Sequence, residues 1–295
     1  MGQCNLDNLA DVKNNKNYYF IEGDIVDTKL LNKIFNDYDI NFVINFAAES
    51  HVDRSIDGPE VFLKTNIMGT QKLLQVAMEN WLKIDSKGRK TFKKNVKFVQ
   101  ISTDEVYGTL GPKGKFKENT NLKPNSPYSA SKASAEFFVR AYGETYGLPY
   151  NITRCSNNYG PHQHTEKMIP VIIKSILNNQ KIPVYGDGLQ IRDWLHVKDH
   201  CEAIDLVLHK GKNNEVYNIG GDSELRNIDL VKIILNRMNK SENLIEYVTD
   251  RPGHDRRYAI DFKKIQKNLN WEPQITFEKG IQVTIDWYSK HNSSS

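Results

Sequence analysis

A chain of 295 residues is long enough to bury a large core as one domain, or as one domain with a smaller lobe. With 39% hydrophobic and 26% charged residues it has the balance of a globular protein rather than a disordered one. The net charge of +4 is scattered; the densest basic run, KGRKTFKK at 87–94, reads as a solvated loop, and there is no basic stripe with interleaved aromatics to indicate nucleic acid.

Cys4, Cys155 and Cys201 are far apart, with no CxxC and no Cys/His cluster at zinc spacing, so neither a disulfide framework nor a metal is expected. Such sparse cysteine fits a reducing compartment. No apolar run is long enough to span a bilayer and the N-terminus is polar rather than signal-like, so no membrane attachment and a cytoplasmic location are expected.

In chain order, the opening MGQCNLDNLADVKNNKNYYFIEGDI contains no Gly-rich turn of the GxxGxxG kind with which a dinucleotide-binding sheet begins. Asp27 is placed to cap a helix over TKLLNKIFNDY, 28–38. FVINFAA (42–48), VKFVQIS (96–102) and YNITRCS (150–156) read as buried parallel strands. The segments 59–81 and 128–147 between them read as long amphipathic helices. This alternation predicts an α/β fold, a Rossmann-like doubly wound parallel sheet with ligands at the carboxyl ends of its strands. Beyond about residue 160 the strands shorten (IPVYG, IRDWLHV, VYNIGG), and helices are expected near 198–209, 227–239 and 277–289. The predicted organisation is a dinucleotide-binding domain over 1–160, a smaller substrate-binding lobe over 161–290 interleaved with the end of the sheet, and a disordered tail over 291–295.

Two motifs carry candidate chemistry. In YSASK, Tyr128 and Lys132 are four apart at a helix start and share one face. A tyrosine titrates near 10, too high for a base at neutral pH, and a nearby ammonium lowers that value. The bland alternative is a chance YxxxK, with Tyr in the core and Lys exposed. In VQISTDEVYG (99–108), a strand runs into Thr103, Asp104 and Glu105. Thr or Asp capping a helix is the ordinary explanation. Glycines and prolines follow at once, however, so there is little helix to cap. Two acids at a strand's carboxyl end can divide acid and base work if their environments separate their pKa values.

NFAAESHVDRSI (45–56), ISTDEVYG (101–108), NSPYSASKASAE (125–136), RCSNNYGPHQ (154–163), VYGDGLQIRDWLHVKDH (184–200), YNIGG (217–221) and DRPGHDRRYAID (250–261) together resemble the extended short-chain dehydrogenase/reductase family. Within it the sequence is similar to the dTDP-glucose 4,6-dehydratases, over essentially the whole chain. YxxxK marks the superfamily; the TDE triplet is far more specific.

The resemblance implies NAD as cofactor, dTDP-glucose as substrate and a homodimer built on the helices near 59–81 and 128–147, whose apolar residues are equally able to face only the sheet. It implies that Tyr128, assisted by Thr103 and Lys132, takes the sugar 4-hydroxyl proton, that Glu105 works at C5 and that Asp104 protonates the leaving 6-hydroxyl. Asp24, Ile25, Phe46, Ala47, Ala48, Ser50, Thr65, Tyr128, Lys132 and Asn158 would contact NAD. Ser50, Thr103, Asn157, Lys167, Met168, Pro183, Val184, Tyr185, Arg192, Asn227, Arg251 and His254 would contact the nucleotide sugar. Arg192 suits a diphosphate, which a guanidinium binds through two oxygens; its alternative is an ion pair with Asp193 or Asp187. QHTEK (163–167) departs from the family's aromatic-proline before Glu-Lys, which bears on loop shape and not on chemistry.

The family's first strand, Gly-rich turn, helix and second strand have no counterpart here, so weak NAD binding is expected of this sequence. A UDP-sugar 4,6-dehydratase, an epimerase of the same superfamily, and an inactive nucleotide-sugar-binding pseudoenzyme are the competing readings. The family serves rhamnose and other deoxysugar synthesis.

Overall fold

The structure is a computed structural model and describes residues 5–291. Asp27 caps the first α-helix, α1 (Thr28–Asp37), accepting from the amides of Lys29 and Leu30 at 3.0 and 3.1 Å. The sheet strands are β1 (Phe42–Asn45), β2 (Lys97–Thr103), β3 (Tyr150–Cys155) and β7 (Glu215–Ile219), hydrogen-bonded in the order β1-β2-β3-β7 and all parallel. Every residue of β2 is buried, as a central parallel strand requires.

Alternate residues face opposite layers. Val43, Phe98, Tyr150 and Ile152 pack with α1, α2 (Thr70–Trp81) and α3 (Pro127–Tyr146) through Leu31, Leu74, Trp81 and Val139. Val99, Ile101, Tyr217 and Ile219 pack with Ile204 and Val207 of α5 (Val197–Lys210), and with Ile265 and Trp271. Trp81 is fully buried with its indole N–H on Ile40 O at 2.7 Å, so its large apolar area is buried without an unpaired donor. The expected doubly wound sheet is therefore present, with helices on both faces.

A second core joins α4 (Met168–Leu177), α6 (Asn227–Arg237) and α7 (Phe277–His291) to Ile182, Val184 and Trp194. These last lie on β5 (Ile182–Tyr185), which pairs with β9 (Ile245–Val248), and on β6 (Ile191–His196), which stands between β4 (Asn157–Tyr159) and β8 (Glu224–Arg226).

Several expectations shift. The strand expected over 42–48 stops at Asn45, whose Oδ1 accepts the Ala47 amide at 3.2 Å and turns the chain out of the ladder. The helix over 59–81 is continuous from 60, but Leu63–Gly69 is wound as a π-helix. That stretch carries Asn66, which accepts from Glu49 N (2.8 Å) and donates to Glu49 O (3.0 Å) and Ser131 Oγ (2.8 Å), tying the loop after β1 to α3. The basic run 87–94 is part of a two-stranded hairpin, Leu82–Ile84 with Lys90–Phe92, rather than a plain loop. His291, assigned to the tail, is the last residue of α7; 292–295 lie outside the described residues. Helix α4 is not among the expected helices: the proline in its first turn reads as a break, although Ile169, Ile172, Ile173 and Ile176 share one buried face at helical spacing. No helix among the described residues is long and apolar enough to cross a membrane.

Candidate active site

Strand β2 delivers Thr103 in extended conformation, and a single 3-10 turn, Asp104–Tyr107, follows. The capping explanation is thus partly correct. Thr103 Oγ1 accepts the Glu105 amide and donates to Asp104 Oδ1, each at 3.3 Å, but the helix it caps is one turn long. Gly108 ends the turn at φ +80°, and a Cβ there would sit 2.2 Å from Lys123 O, so both conformation and space demand glycine.

The two carboxyls face different surroundings. Asp104 is buried with Oδ2 unpartnered. Burial, then the negative charges of Glu105 and Asp193, push its pKa well above the carboxylate range. Burial raises Glu105 as well, but Arg192, Arg251 and Lys167 oppose the rise.

At the start of α3, Ser126 and Ser129 form a reciprocal capping box, each hydroxyl on the other's amide at 3.0–3.1 Å, with Pro127 in the first turn. This seats Tyr128, whose amide donates to Ser55 Oγ at 3.2 Å, and Lys132 one turn later. Both are buried, which removes the chance-motif alternative with an exposed lysine. The expected lowering of the Tyr128 pKa is not what these residues produce. Burial raises it well above its ordinary value, Glu105, Cys155 and Asp104 add to the rise, and only the Thr103 hydroxyl opposes it. The Lys132 ammonium donates to Ile101 O at 2.6 Å, and burial brings its pKa down to about 8.

Arg192 is buried over the Tyr258 ring (4.3 Å), with its guanidinium donating to Ile191 O and Asp255 O. Neither anticipated carboxylate pairs with it. Asp187 takes Arg256, and Asp193 takes the amides of Gly221 (3.0 Å) and Ser223 (2.7 Å). A buried guanidinium bound only by carbonyls, with charge acting on Glu105, is suited to an anionic ligand. Lys167 Nζ lies on Ser50 O at 2.9 Å and Arg251 on Asp53 at 3.3 Å, so residues far apart in sequence meet at one mouth. Asn157 and Asn158 on β4 and Asn227 at the start of α6 each hold a buried amide oxygen with no partner.

Pro183 and Tyr185 are exposed on β5, whereas the Val184 side chain belongs to the second core, so only its backbone can meet a ligand. Met168 opens α4 half-buried against that same core. His254 is engaged by Asp250 at 2.6 Å, and burial followed by the Arg251 charge lowers its pKa. The remaining residues expected at NAD line the end of β1 and the π-helical stretch. Phe46 is 58% exposed, Ala47, Ala48 and Thr65 are half-buried, Ser50 is exposed, Asp24 lies near Lys64 (3.6 Å), and Ile25 packs against Gly69.

Sequence reasoning weighed Asp193 only as an ion-pair partner of Arg192, not as a charge acting on Asp104, and gave no site role to Cys155, a half-buried thiol donating to Ser102 O at 3.4 Å. It also passed over Gln190, buried with Nε2 on Asp250 (3.0 Å) and Oε1 free of partners. The only available signal was their adjacency to assigned residues. The unpartnered Asn158 Oδ1 and Ser102 Oγ, with Tyr128 and Lys132, supply the acceptors and donors that a ribose and nicotinamide need, so the site fits that end of NAD.

A tyrosine–lysine pair on a helix beside a parallel sheet, with two carboxyls at a strand end, defines a short-chain dehydrogenase/reductase type of site. Comparison with known proteins agrees. The family model described as GDP-mannose 4,6 dehydratase matches residues 3–284. A dTDP-glucose 4,6-dehydratase of Xanthomonas campestris pv. campestris (strain B100) is 50% identical, over 96% of this chain and 82% of that protein. The structure of DesIV, a dTDP-glucose 4,6-dehydratase from Streptomyces venezuelae with NAD and TYD bound, superposes with a TM-score of 0.91 at 43% identity, covering 98% of this chain and 85% of that one. The Bacillus anthracis dTDP-glucose 4,6-dehydratase in complex with NAD gives 0.87 at 47% identity, covering 98% and 86%. The chain belongs to the dTDP-glucose 4,6-dehydratase family of extended short-chain dehydrogenase/reductases.

Proposed function

We propose that this chain converts dTDP-glucose to dTDP-4-keto-6-deoxyglucose with NAD as cofactor. The observation that carries the reading is the pair of adjacent carboxyls at the end of β2 in unlike surroundings: burial raises both, but Asp104 has an unpartnered oxygen and two negative neighbours, whereas Arg192, Arg251 and Lys167 oppose the rise at Glu105. An elimination across C5 and C6 needs one proton donor and one base, and this turn offers both beside Tyr128 and Lys132.

NAD, when bound, accepts hydride from C4 and returns it to C6. Tyr128 receives the 4-hydroxyl proton as its phenolate, a form that the positive charge of a bound nicotinamide would favour against the burial that otherwise raises its pKa; Thr103 orients it, and Lys132 holds the ribose end together with Asn158. The 4-ketone acidifies C5, Glu105 takes that proton, Asp104 gives its own to the departing 6-hydroxyl, and water leaves; as hydride returns to C6, Glu105 gives its proton back to C5. Phe46, Ala47, Ala48, Ser50 and Thr65 line the cofactor, with Asp24 and Ile25 at the adenine. Arg192 and Arg251 meet the diphosphate, Arg251 exchanging Asp53 for it. Lys167, Met168, Asn157 and Asn227 contact the nucleotide sugar beside Ser50 and His254, and the Pro183–Tyr185 strand presents its backbone to the base. The lobe boundary near residue 160 then separates cofactor from nucleotide.

Val61 (45% exposed), Leu63 (50%), Met68 (53%), Phe137 (57%) and Phe138 (40%) on the helices at 60–81 and α3 leave an apolar surface that supports a homodimer, to be checked by sedimentation. The separated cysteines support a cytoplasmic location. Incubation with dTDP-glucose, followed by the absorbance of the 4-keto product in alkali, tests the activity. Turnover of UDP-glucose alone would transfer the assignment to a UDP-sugar dehydratase, and no product from either would leave a binding protein.

A further inference from the structure

The chemistry above leaves one buried cation beside the site without a task. Arg154, 6% exposed, stands on β3 next to Cys155 and forks onto Glu136, with Nε 3.1 Å from both carboxylate oxygens and Nη2 2.6 Å from Oε2. Glu136 lies on α3 one turn beyond Lys132. The third nitrogen of Arg154, Nη1, donates to the Tyr107 hydroxyl at 2.7 Å, and that hydroxyl donates onward to Asn218 Oδ1 at 2.8 Å on β7. The guanidinium carbon also sits 4.8 Å from the centre of the Tyr107 ring, whose other neighbour is Phe116, stacked at 4.9 Å. Tyr107 is the last residue of the turn that opens with Asp104 and Glu105.

We propose that Arg154, through Glu136 and Tyr107, is a positioning residue for the elimination step: it fixes the carboxyl-bearing turn against the helix that carries Tyr128 and Lys132. The inference rests on the roles given to Asp104, Glu105 and Tyr128 above. A single 3-10 turn has almost no stability of its own, so its orientation must be imposed from outside. The front of the turn is imposed by Thr103 at the end of β2; the back is imposed by Tyr107. C4 oxidation uses Thr103, Tyr128 and Lys132, which β2 and α3 place without help from Arg154. Elimination uses the two carboxyls of the turn, and a misplacement of about 1 Å costs on the order of 10²-fold. Loosening Tyr107 therefore acts selectively on the second step.

The test compares Tyr107→Phe and Arg154→Lys with wild type and with Asp104→Asn in single turnovers of the NAD-loaded enzyme on dTDP-glucose. The near-ultraviolet absorbance of bound reduced nicotinamide follows oxidation, the 4-keto-6-deoxy product follows elimination, and thermal melting follows the fold. Tyr107→Phe is expected to oxidise C4 at the wild-type rate but to form product roughly ten-fold more slowly, so that reduced nicotinamide accumulates. Arg154→Lys is expected to shift the same ratio further; should it fail to fold, Tyr107→Phe decides alone. A fall in melting temperature with an unchanged ratio of the two steps overturns the inference and leaves Arg154 a structural ion pair. If Asp104→Asn accumulates reduced nicotinamide and Tyr107→Phe does not, the positioning claim fails and the carboxyl roles stand. If Asp104→Asn does not accumulate it, the carboxyl roles fail.

Discussion

The Glu136–Arg154 pair also makes a quantitative claim about stability. The side chains are 2% and 7% exposed, so neither charge is eased by water when the other is removed. Breaking one side of a buried pair costs about 3–5 kcal/mol, most of it the penalty of stranding the remaining charge. In Glu136→Gln the guanidinium still has the Tyr107 hydroxyl and Glu118 O, and the new amide keeps one acceptor, which places the loss near the low end, about 3 kcal/mol. For 295 residues this is a fall of about 5 °C in Tm, taking an unfolding entropy of about 2.1 cal/mol/K per residue. Arg154→Met strands Glu136 instead and should lose a similar amount. The double variant strands no charge, so its loss should be about 2 kcal/mol smaller than the two singles added together. Urea unfolding of all four proteins by circular dichroism, with calorimetry for Tm, gives the cycle. Additivity within about 0.5 kcal/mol would show that the buried charges are not coupled and would refute the reasoning.

Three further outcomes follow from the same contacts. Asp104→Asn should lower kcat by about 10²–10⁴-fold, the usual worth of a general acid, while leaving Tm unchanged or raised, because the amide matches a carboxyl already held toward neutrality by burial; a fall in Tm matching the fall in kcat would contradict this. His200 is buried with Nε2 unpartnered and its pKa pushed down by burial from 6.5 to about 4. The unfolded chain therefore takes up a proton that the folded one refuses, and stability is lost as pH falls from 6.5 to about 4, by about 3 kcal/mol at 1.36 kcal/mol per pKa unit. His200→Gln should remove that loss, seen as a flatter acid limb in denaturant midpoints between those pH values. Asp27→Ala should cost about 1 kcal/mol, since two α1 amides lose their acceptor, with urea unfolding as the check.

The parts of the molecule that were legible from sequence are those set by local rules. Asp27 sits before a 3.6-residue apolar period, and the helix begins there. VKFVQIS (96–102) is β-rich and bounded, and the central strand, Lys97–Thr103, is offset from it by one residue at each end. The Tyr128–Lys132 pair was legible because a helical spacing of four fixes a shared face. Harder to read were features decided by partners distant in sequence. The π-helical winding around Asn66 serves Glu49 and Ser131. Arg192 looked available to Asp187 and Asp193 because they are close in sequence, yet Arg256 and the amides of a turn claim those carboxylates. The Tyr128 pKa was misjudged for a related reason. Spacing reported a nearby ammonium and said nothing of burial, which acts in the opposite direction and outweighs every other influence on that phenol.

The short turn at 104–107 explains why two adjacent acids can serve two roles. On a strand, neighbouring side chains point to opposite faces, and one of the pair would be lost to the wrong layer. On a longer α-helix, the amides of the first turn would draw both carboxylates toward ionisation. A 3-10 turn separates successive side chains by about a third of a revolution, enough to place neighbours in different company without parting them. Asp104 goes inward, where burial and two negative neighbours, Glu105 and Asp193, favour the proton-bearing form over the opposing charge of Arg192. Burial raises Glu105 too, but Arg192, Arg251 and Lys167 oppose that rise and work toward the ionised form. Two of these cations, Arg192 and Arg251, are those proposed above to meet the diphosphate. On the roles proposed above, a bound diphosphate offsets part of that positive charge and raises the proton affinity of Glu105, which couples occupancy of the nucleotide site to the strength of the base beside the sugar.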